Sequence, residues 1–163
     1  MSIIKGFIKE FFKTIIFSII FALIITDFVF LPAKIDGRSM EPNLLDRSYV
    51  LLGRFTLYNG IDRFNIVAID NGDYYLIKRV IALPNEKIQY KNNQLYINDI
   101  LVEHDFKVNG NTADFTYQLK DDEYFCIGDN REHSTDSRTY GPFSKKQIKS
   151  ESILIKLGGI EYN

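Results

Sequence analysis

The chain reads as mostly β: an antiparallel, barrel-like sheet domain preceded by one N-terminal transmembrane helix. Three observations predict this. One membrane-length apolar segment lies near the N-terminus; short strand-like runs separated by turn signals fill most of the rest; and only one later segment looks helical. Leu, Ile, Val, Phe and Tyr are abundant while Ala is scarce, a balance that favours strands. A chain of 163 residues has room for one principal domain. The expected organisation is a cytoplasmic N-terminus over residues 1–13, a membrane anchor over 14–33 and an extracytoplasmic domain over 34–163.

Residues 14–33 read TIIFSIIFALIITDFVFLPA, with Asp27 the single charge. Twenty helical residues at about 1.5 Å each span a hydrocarbon core of roughly 30 Å. Lys5, Lys9 and Lys13 precede the run and only Glu10 opposes them, so the positive-inside rule places the N-terminus in the cytoplasm. Asp27 falls in the outer half of the span, near the outer headgroups. A cleaved signal peptide is the rival reading. It lacks a small-x-small cleavage signal, because Leu31 stands where Leu31-Pro32-Ala33 would need a small residue.

Beyond the anchor the elements follow in order. Residues 47–55 (RSYVLLGRF) and 64–70 (FNIVAID) read as strands, and Asn71-Gly72 is a hairpin turn leading into residues 74–83 (YYLIKRVIAL). Residues 87–91 and 94–97 flank Asn92-Asn93 as a second hairpin, and Asn98-Asp99 turns before a strand over 100–103. Asn109-Gly110-Asn111 marks a loop, 124–127 a buried strand and 152–157 the closing one. Residues 144–150 are the helical turn or two.

Composition excludes several functions. A net charge of −1 leaves no basic stripe for nucleic acid. One cysteine cannot form an internal disulfide, and Cys126, inside Tyr124-Phe125-Cys126-Ile127, reads as a small buried hydrophobe. No spacing of His, Cys, Asp or Glu suggests a metal site, and His104 and His133 lack an acid partner at a telling distance. What remains for nucleophilic chemistry is Ser39, in Asp36-Gly37-Arg38-Ser39-Met40-Glu41-Pro42-Asn43-Leu44, with a lysine as its base. A lysine serves as base only when burial among apolar groups disfavours its ammonium form. Lys78 shares a strand face with Leu76 and Val80, while Ile77, Arg79 and Ile81 take the other. Lys156, on the face of Leu154 and Ser152, is the comparable candidate.

Three ordered segments carry a family resemblance. They are Gly37-Arg38-Ser39-Met40-Glu41-Pro42-Asn43-Leu44; Tyr75-Leu76-Ile77-Lys78-Arg79-Val80, continuing to Leu83-Pro84; and Gly128-Asp129-Asn130-Arg131-Glu132-His133-Ser134-Thr135-Asp136-Ser137-Arg138, followed by Gly141. Behind a single anchor, they resemble type I signal peptidase (bacterial leader peptidase) in its Gram-positive-like form, a membrane serine endopeptidase that removes signal peptides from exported proteins. The resemblance implies Ser39 as nucleophile and Lys78 as general base. It implies Ser134 as the serine that hydrogen-bonds the lysine, and Asp129, Arg79, Asp136 and Arg138 as braces of the active-site loops. It places Ile35, Met40, Leu44, Leu76 and Ile77 around shallow pockets for small substrate residues. The Ser39 N–H would be one oxyanion donor; the hydroxyl some members carry two residues earlier is here Gly37. Implied partners are the signal peptides of preproteins and the lipid bilayer of a bacterial cell membrane, with no cofactor, metal or nucleic acid.

The chain departs from the family pattern in three places. Asn43 replaces a threonine, Pro84-Asn85-Glu86 replaces Pro-Gly-Asp, and Phe64-Asn65 replaces Gly-Asp. These departures raise an alternative: a catalytically weak or inactive paralogue acting as a membrane-tethered peptide-binding module. Both Ser39 and Lys78 are nevertheless present. A self-cleaving Ser/Lys regulator would use similar chemistry, but no DNA-binding segment is evident.

Overall fold

A computed structural model of the protein describes the backbone of residues 2–53 and 60–158, and their side chains except those of residues 2–5, 25–29 and 151–155. Helix α1 (Ser2–Val29) is followed directly by β1 (Phe30–Lys34). The helix thus starts before residue 14 and stops before residue 33, and the last four residues of the expected anchor are strand. The side chain of Asp27 lies outside the described residues. Every described α1 side chain from residue 6 to 24 is exposed, including Phe17 at 70% and Leu23 at 62%. Among the described residues no helix is long and apolar enough to cross a membrane; the described stretch contains Lys9, Glu10 and Lys13.

Two antiparallel sheets follow. The larger runs in the order β1-β2-β11-β3-β4-β9-β10, with β2 at Tyr49–Gly53, β3 at Ile66–Asp70, β4 at Tyr75–Ala82, β9 at Glu123–Ile127, β10 at Phe143–Ser144 and β11 at Ile148–Leu157. The smaller runs β7-β6-β5-β8, from β5 (Lys87–Lys91), β6 (Gln94–Ile97), β7 (Ile100–Leu101) and β8 (Phe115–Gln118). Neither sheet closes on itself among the described strands. The barrel-like expectation is therefore corrected to two open sheets sharing a core. Pro32 is accommodated because β1 is an edge strand, with one side free of ladder bonds.

The expected hairpins form: Asp70 pairs with Tyr75 across Asn71-Gly72, and Lys91 with Gln94 across Asn92-Asn93. The helical segment over 144–150 shrinks to a 3-10 turn at Lys145–Gln147, because Ile148 and Ser150 pair with Ile69 and Ala68 as β11 begins. Arg54 and Phe55 of the strand expected over 47–55 lie outside the described residues. Two of the family departures fall where the backbone turns left-handed, at Phe64 (φ +71°) and Asn85 (φ +66°). Glycine fits such positions without strain. Phe64 is held there by rings, its centroid 5.3 Å from Phe106 and 5.9 Å from His104.

Strand β4 threads all three hydrophobic clusters. Ile81 packs with Ile88 and Phe125 between the two sheets, Val80 with Val67 and Cys126 on the opposite face, and Ile77 against Met40, Leu44 and Val50. Burial on both faces gives β4 little freedom to slip its register. Cys126 is fully buried, and burial pushes its thiol well above the ordinary range.

Candidate active site

The turn between β1 and β2 carries Ser39 above an apolar floor. Met40 and Leu44, each 1% exposed, anchor it from below. Gly37 takes φ +99°, a conformation that favours glycine, and its N–H donates to Asp46 Oδ1 at 2.8 Å. Ser39 itself is half-buried, at the mouth of a cleft of about 310 Å³.

Lys78 reaches the same point from the middle of β4. It is 3% exposed, and its Nζ donates to Ser39 Oγ at 2.8 Å. Burial lowers its pKa from 10.5 to about 8, outweighing the pull of the Asp136 charge in the other direction; the Arg138 charge adds to the lowering. Lys156, the rival lysine, is exposed and donates to the Asn43 carbonyl at 2.7 Å.

Two ion pairs, one buried and one partly buried, flank the serine and lysine. Arg79 Nε and Nη2 donate to Asp129 Oδ1 and Oδ2 at 2.8 and 2.6 Å, a bidentate pair. Arg79 Nη1 donates to the Phe64 carbonyl at 2.7 Å, and the guanidinium carbon lies 4.1 Å from the Phe106 ring centroid. Arg138 grips Asp136 through Nε and Nη2, both at 2.8 Å. Asp136 also accepts from the Gly128 N–H at 2.9 Å and the Ser134 hydroxyl at 2.6 Å. Burial alone would push the Asp136 carboxyl up; the bonds from Arg138, Gly128 and Ser134 outweigh it and hold the pKa below the ordinary value.

The geometry brings together Ser39, Lys78, Arg79, Asp129, Ser134, Asp136 and Arg138. Ser134 differs in its partner: its hydroxyl donates to Asp136 and not to Lys78. Its backbone neighbour explains Gly128, where a Cβ would collide with the Ser134 side chain and the Ser39 carbonyl. Of the expected pocket residues, Ile35, Met40, Leu76 and Ile77 line the cleft, whereas Leu44 lies in the core beneath it.

The structure adds residues that the sequence left without a role. Tyr74 and Tyr75 line the cleft, along with Asp36. The Asn130 N–H donates to the Ser39 carbonyl at 3.0 Å. Arg131, 4% exposed, ties the 128–138 loop to the smaller sheet by donating to Tyr90 Oη at 2.8 Å and Thr112 Oγ1 at 2.6 Å. Their signal in the sequence was a place within or beside the quoted segments, which says nothing about what each side chain touches.

A buried amine hydrogen-bonded to a serine hydroxyl, set in an antiparallel β domain, is the arrangement expected of a peptidase. Comparisons with known proteins give the same class. The family model "Signal peptidase, peptidase S26" matches residues 8–156. Signal peptidase I S of Bacillus subtilis is 38% identical over 147 residues, covering 82% of this chain and 80% of its own. Signal peptidase IB of Staphylococcus aureus is 33% identical over 150 residues, covering 77% and 76%. A solved signal peptidase I from Enterococcus faecalis shares 30% identity at a TM-score of 0.50, covering 58% of this chain and 96% of that one. The chain belongs to the signal peptidase family, peptidase S26, and is a peptidase of the signal peptidase I type.

Proposed function

We propose that the protein is a membrane-tethered serine endopeptidase that removes N-terminal signal peptides from exported preproteins, with Ser39 as nucleophile and Lys78 as general base. The observation that carries this reading is the 2.8 Å hydrogen bond between Lys78 Nζ and Ser39 Oγ, made by a lysine whose pKa is lowered to about 8. Roughly one molecule in ten then holds a neutral amine at pH 7, against a negligible fraction for an ordinary lysine.

In the neutral form the Nζ lone pair accepts the Ser39 proton as Oγ attacks the scissile carbonyl carbon. Negative charge develops on the carbonyl oxygen, within reach of the Ser39 N–H as a donor. The Gly37 N–H is not available for this, being committed to Asp46. Collapse of the intermediate breaks the C–N bond, and the Lys78 ammonium returns the proton to the leaving amine. Lys78 then takes a proton from water as that water attacks the acyl carbon; collapse breaks the bond from that carbon to Ser39 Oγ, and the Lys78 ammonium returns the proton to Oγ, restoring both groups.

Substrate recognition follows from the cleft. β9 pairs with β4 only from Arg79 onward, so the Tyr75–Lys78 stretch of β4 has no strand on that side among the described strands. An extended peptide adds there through main-chain hydrogen bonds. The cleft of about 310 Å³, with Ile35, Met40, Leu76 and Ile77 in its lining beside Ser39, supports a preference for small side chains before the cleaved bond. The described α1 side chains, exposed and largely apolar, support a single-pass tether, and Lys5, Lys9 and Lys13 support a cytoplasmic N-terminus in a bacterial membrane.

The test is cleavage of a preprotein bearing an Ala-x-Ala site by the full chain in detergent. Ser39→Ala and Lys78→Ala should each abolish nearly all turnover. Full activity in either variant would remove the proposed dyad.

A further inference from the structure

The Ser39 turn is tied to the rest of the site through the Asn130 N–H on the Ser39 carbonyl and Lys156 on the Asn43 carbonyl, and one side chain adds two further bonds. Asn43 stands four residues after Ser39, where the family pattern carries threonine. Its Nδ2 donates to Asp129 Oδ2 at 2.8 Å and to the Lys107 carbonyl at 2.7 Å. Both partners can only accept, so the amide orientation is dictated by chemistry. A threonine hydroxyl has a single proton and could serve one of these acceptors at a time.

These contacts close a ring. From Ser39 the turn leads to Asn43, whose amide bonds Asp129; Asp129 is paired with Arg79, the residue after Lys78 on β4; and Lys78 bonds Ser39. The second amide bond brings in the 106–109 strap. There, Phe106 lies under the Arg79 guanidinium, Lys107 supplies the carbonyl, and the Asn109 N–H donates to the Asp129 carbonyl at 3.0 Å. The strap therefore touches both members of the ion pair and, through Asn43, the turn bearing Ser39.

We infer that Asn43 is a positioning residue: by binding Asp129 and the strap together, it holds the Ser39 turn at the separation from β4 that the Ser39–Lys78 bond requires. It touches neither reacting group. This inference rests on the proposed Ser39–Lys78 chemistry, in which a small displacement of one partner removes the proton-transfer contact.

The experiment measures kcat and KM for an Ala-x-Ala preprotein with the purified full chain in detergent. Wild type, Asn43→Ala, Asn43→Thr, Asn43→Asp and Ser39→Ala are compared. Asn43→Ala should lower kcat by about 10- to 100-fold, the range for a modest misplacement of a reacting group. KM should stay within about twofold, and the pH at which activity rises should not move, because no charge is altered. Asn43→Thr keeps a donor for Asp129 but loses the strap. It should recover to about three- to fivefold below wild type in kcat. Asn43→Asp sets a carboxylate against Asp129 and should be at least as impaired as Asn43→Ala. Where Asn43→Ala fails to fold, the kcat of Asn43→Thr at unchanged KM decides.

The inference is overturned if Asn43→Ala retains wild-type kcat, if the loss falls on KM, or if Asn43→Thr matches either wild type or Asn43→Ala. An active Ser39→Ala enzyme would instead overturn the dyad itself. A dead Ser39→Ala beside a fully active Asn43→Ala would remove only the positioning role.

Discussion

Lys78 and Arg79 are consecutive cations on one strand, both almost fully buried, and the structure treats them in opposite ways. Arg79 finds a bidentate carboxylate, a backbone carbonyl and an aromatic face. Among the described residues Lys78 finds a serine hydroxyl and no carboxylate in hydrogen-bond contact, with Asp136 acting on it through space. Pairing gives Arg79 the partners its buried guanidinium needs; burial, without a carboxylate in contact among the described residues, brings Lys78 toward neutrality. The alternation of side chains along β4 separates the two, so that one strand carries an ion-paired guanidinium on one face and, on the other, the amine proposed as the base.

Substituting the two neighbours alike separates these roles most sharply. Lys78→Met should lower activity roughly a thousandfold or more. It should leave stability unchanged or raise it, by up to about 3 kcal/mol, because an unpaired amine is removed from the interior. Arg79→Met strands Asp129 as a buried, unpaired carboxylate and should cost about 3–5 kcal/mol. Denaturant melts of both variants check the opposite signs.

Lys78 also leaves a mark on the pH dependence of stability. Its folded-state pKa of about 8 lies below its ordinary 10.5, so between those values the unfolded chain holds a proton that the folded chain does not. This group penalises folding fully below about pH 8, and the penalty fades as the pH rises toward 10.5. Lys78→Met should abolish that rise in a pH series of melts.

A smaller effect follows from Asp136. Its charge raises the Lys78 pKa, so Asp136→Asn should move the rise of activity below about pH 8, while kcat falls as the bonds to Gly128 and Ser134 weaken. A shift to higher pH would contradict the assigned sign. The smallest effect belongs to Cys126, buried with its thiol pushed up. Native protein at mildly alkaline pH should resist alkylation, and unfolded protein should react.

Much of this arrangement was legible in the residues. Alternation along β4 located Lys78 among apolar neighbours, and Asn71-Gly72 located the hairpin that fixes its register. Three strands were not legible. β1 was hidden because its residues extend the apolar run before it, and Pro32 argues against a central strand. β8 has one half-buried and three exposed residues, so its definition comes from pairing with β5 rather than from its own pattern. β10 is only two residues long. The Ser39–Lys78 contact spans 39 positions and depends on β1, β3 and β4 packing over a shared cluster. No local spacing encodes that, and family resemblance supplied the pairing. The partner of Ser134 and the double bond of Asn43 lay beyond both, since each depends on side-chain geometry around a buried carboxylate.

The proposed role of Lys78 as a neutral base rests on its burial without a carboxylate in contact among the described residues. The most direct test is the pH dependence of kcat/KM for an Ala-x-Ala preprotein cleaved by the full chain in detergent. The account predicts a rise governed by a pKa of about 8, followed by a plateau. A flat profile from mildly acidic to basic pH, or a rise only near the ordinary lysine value of 10.5, would contradict it.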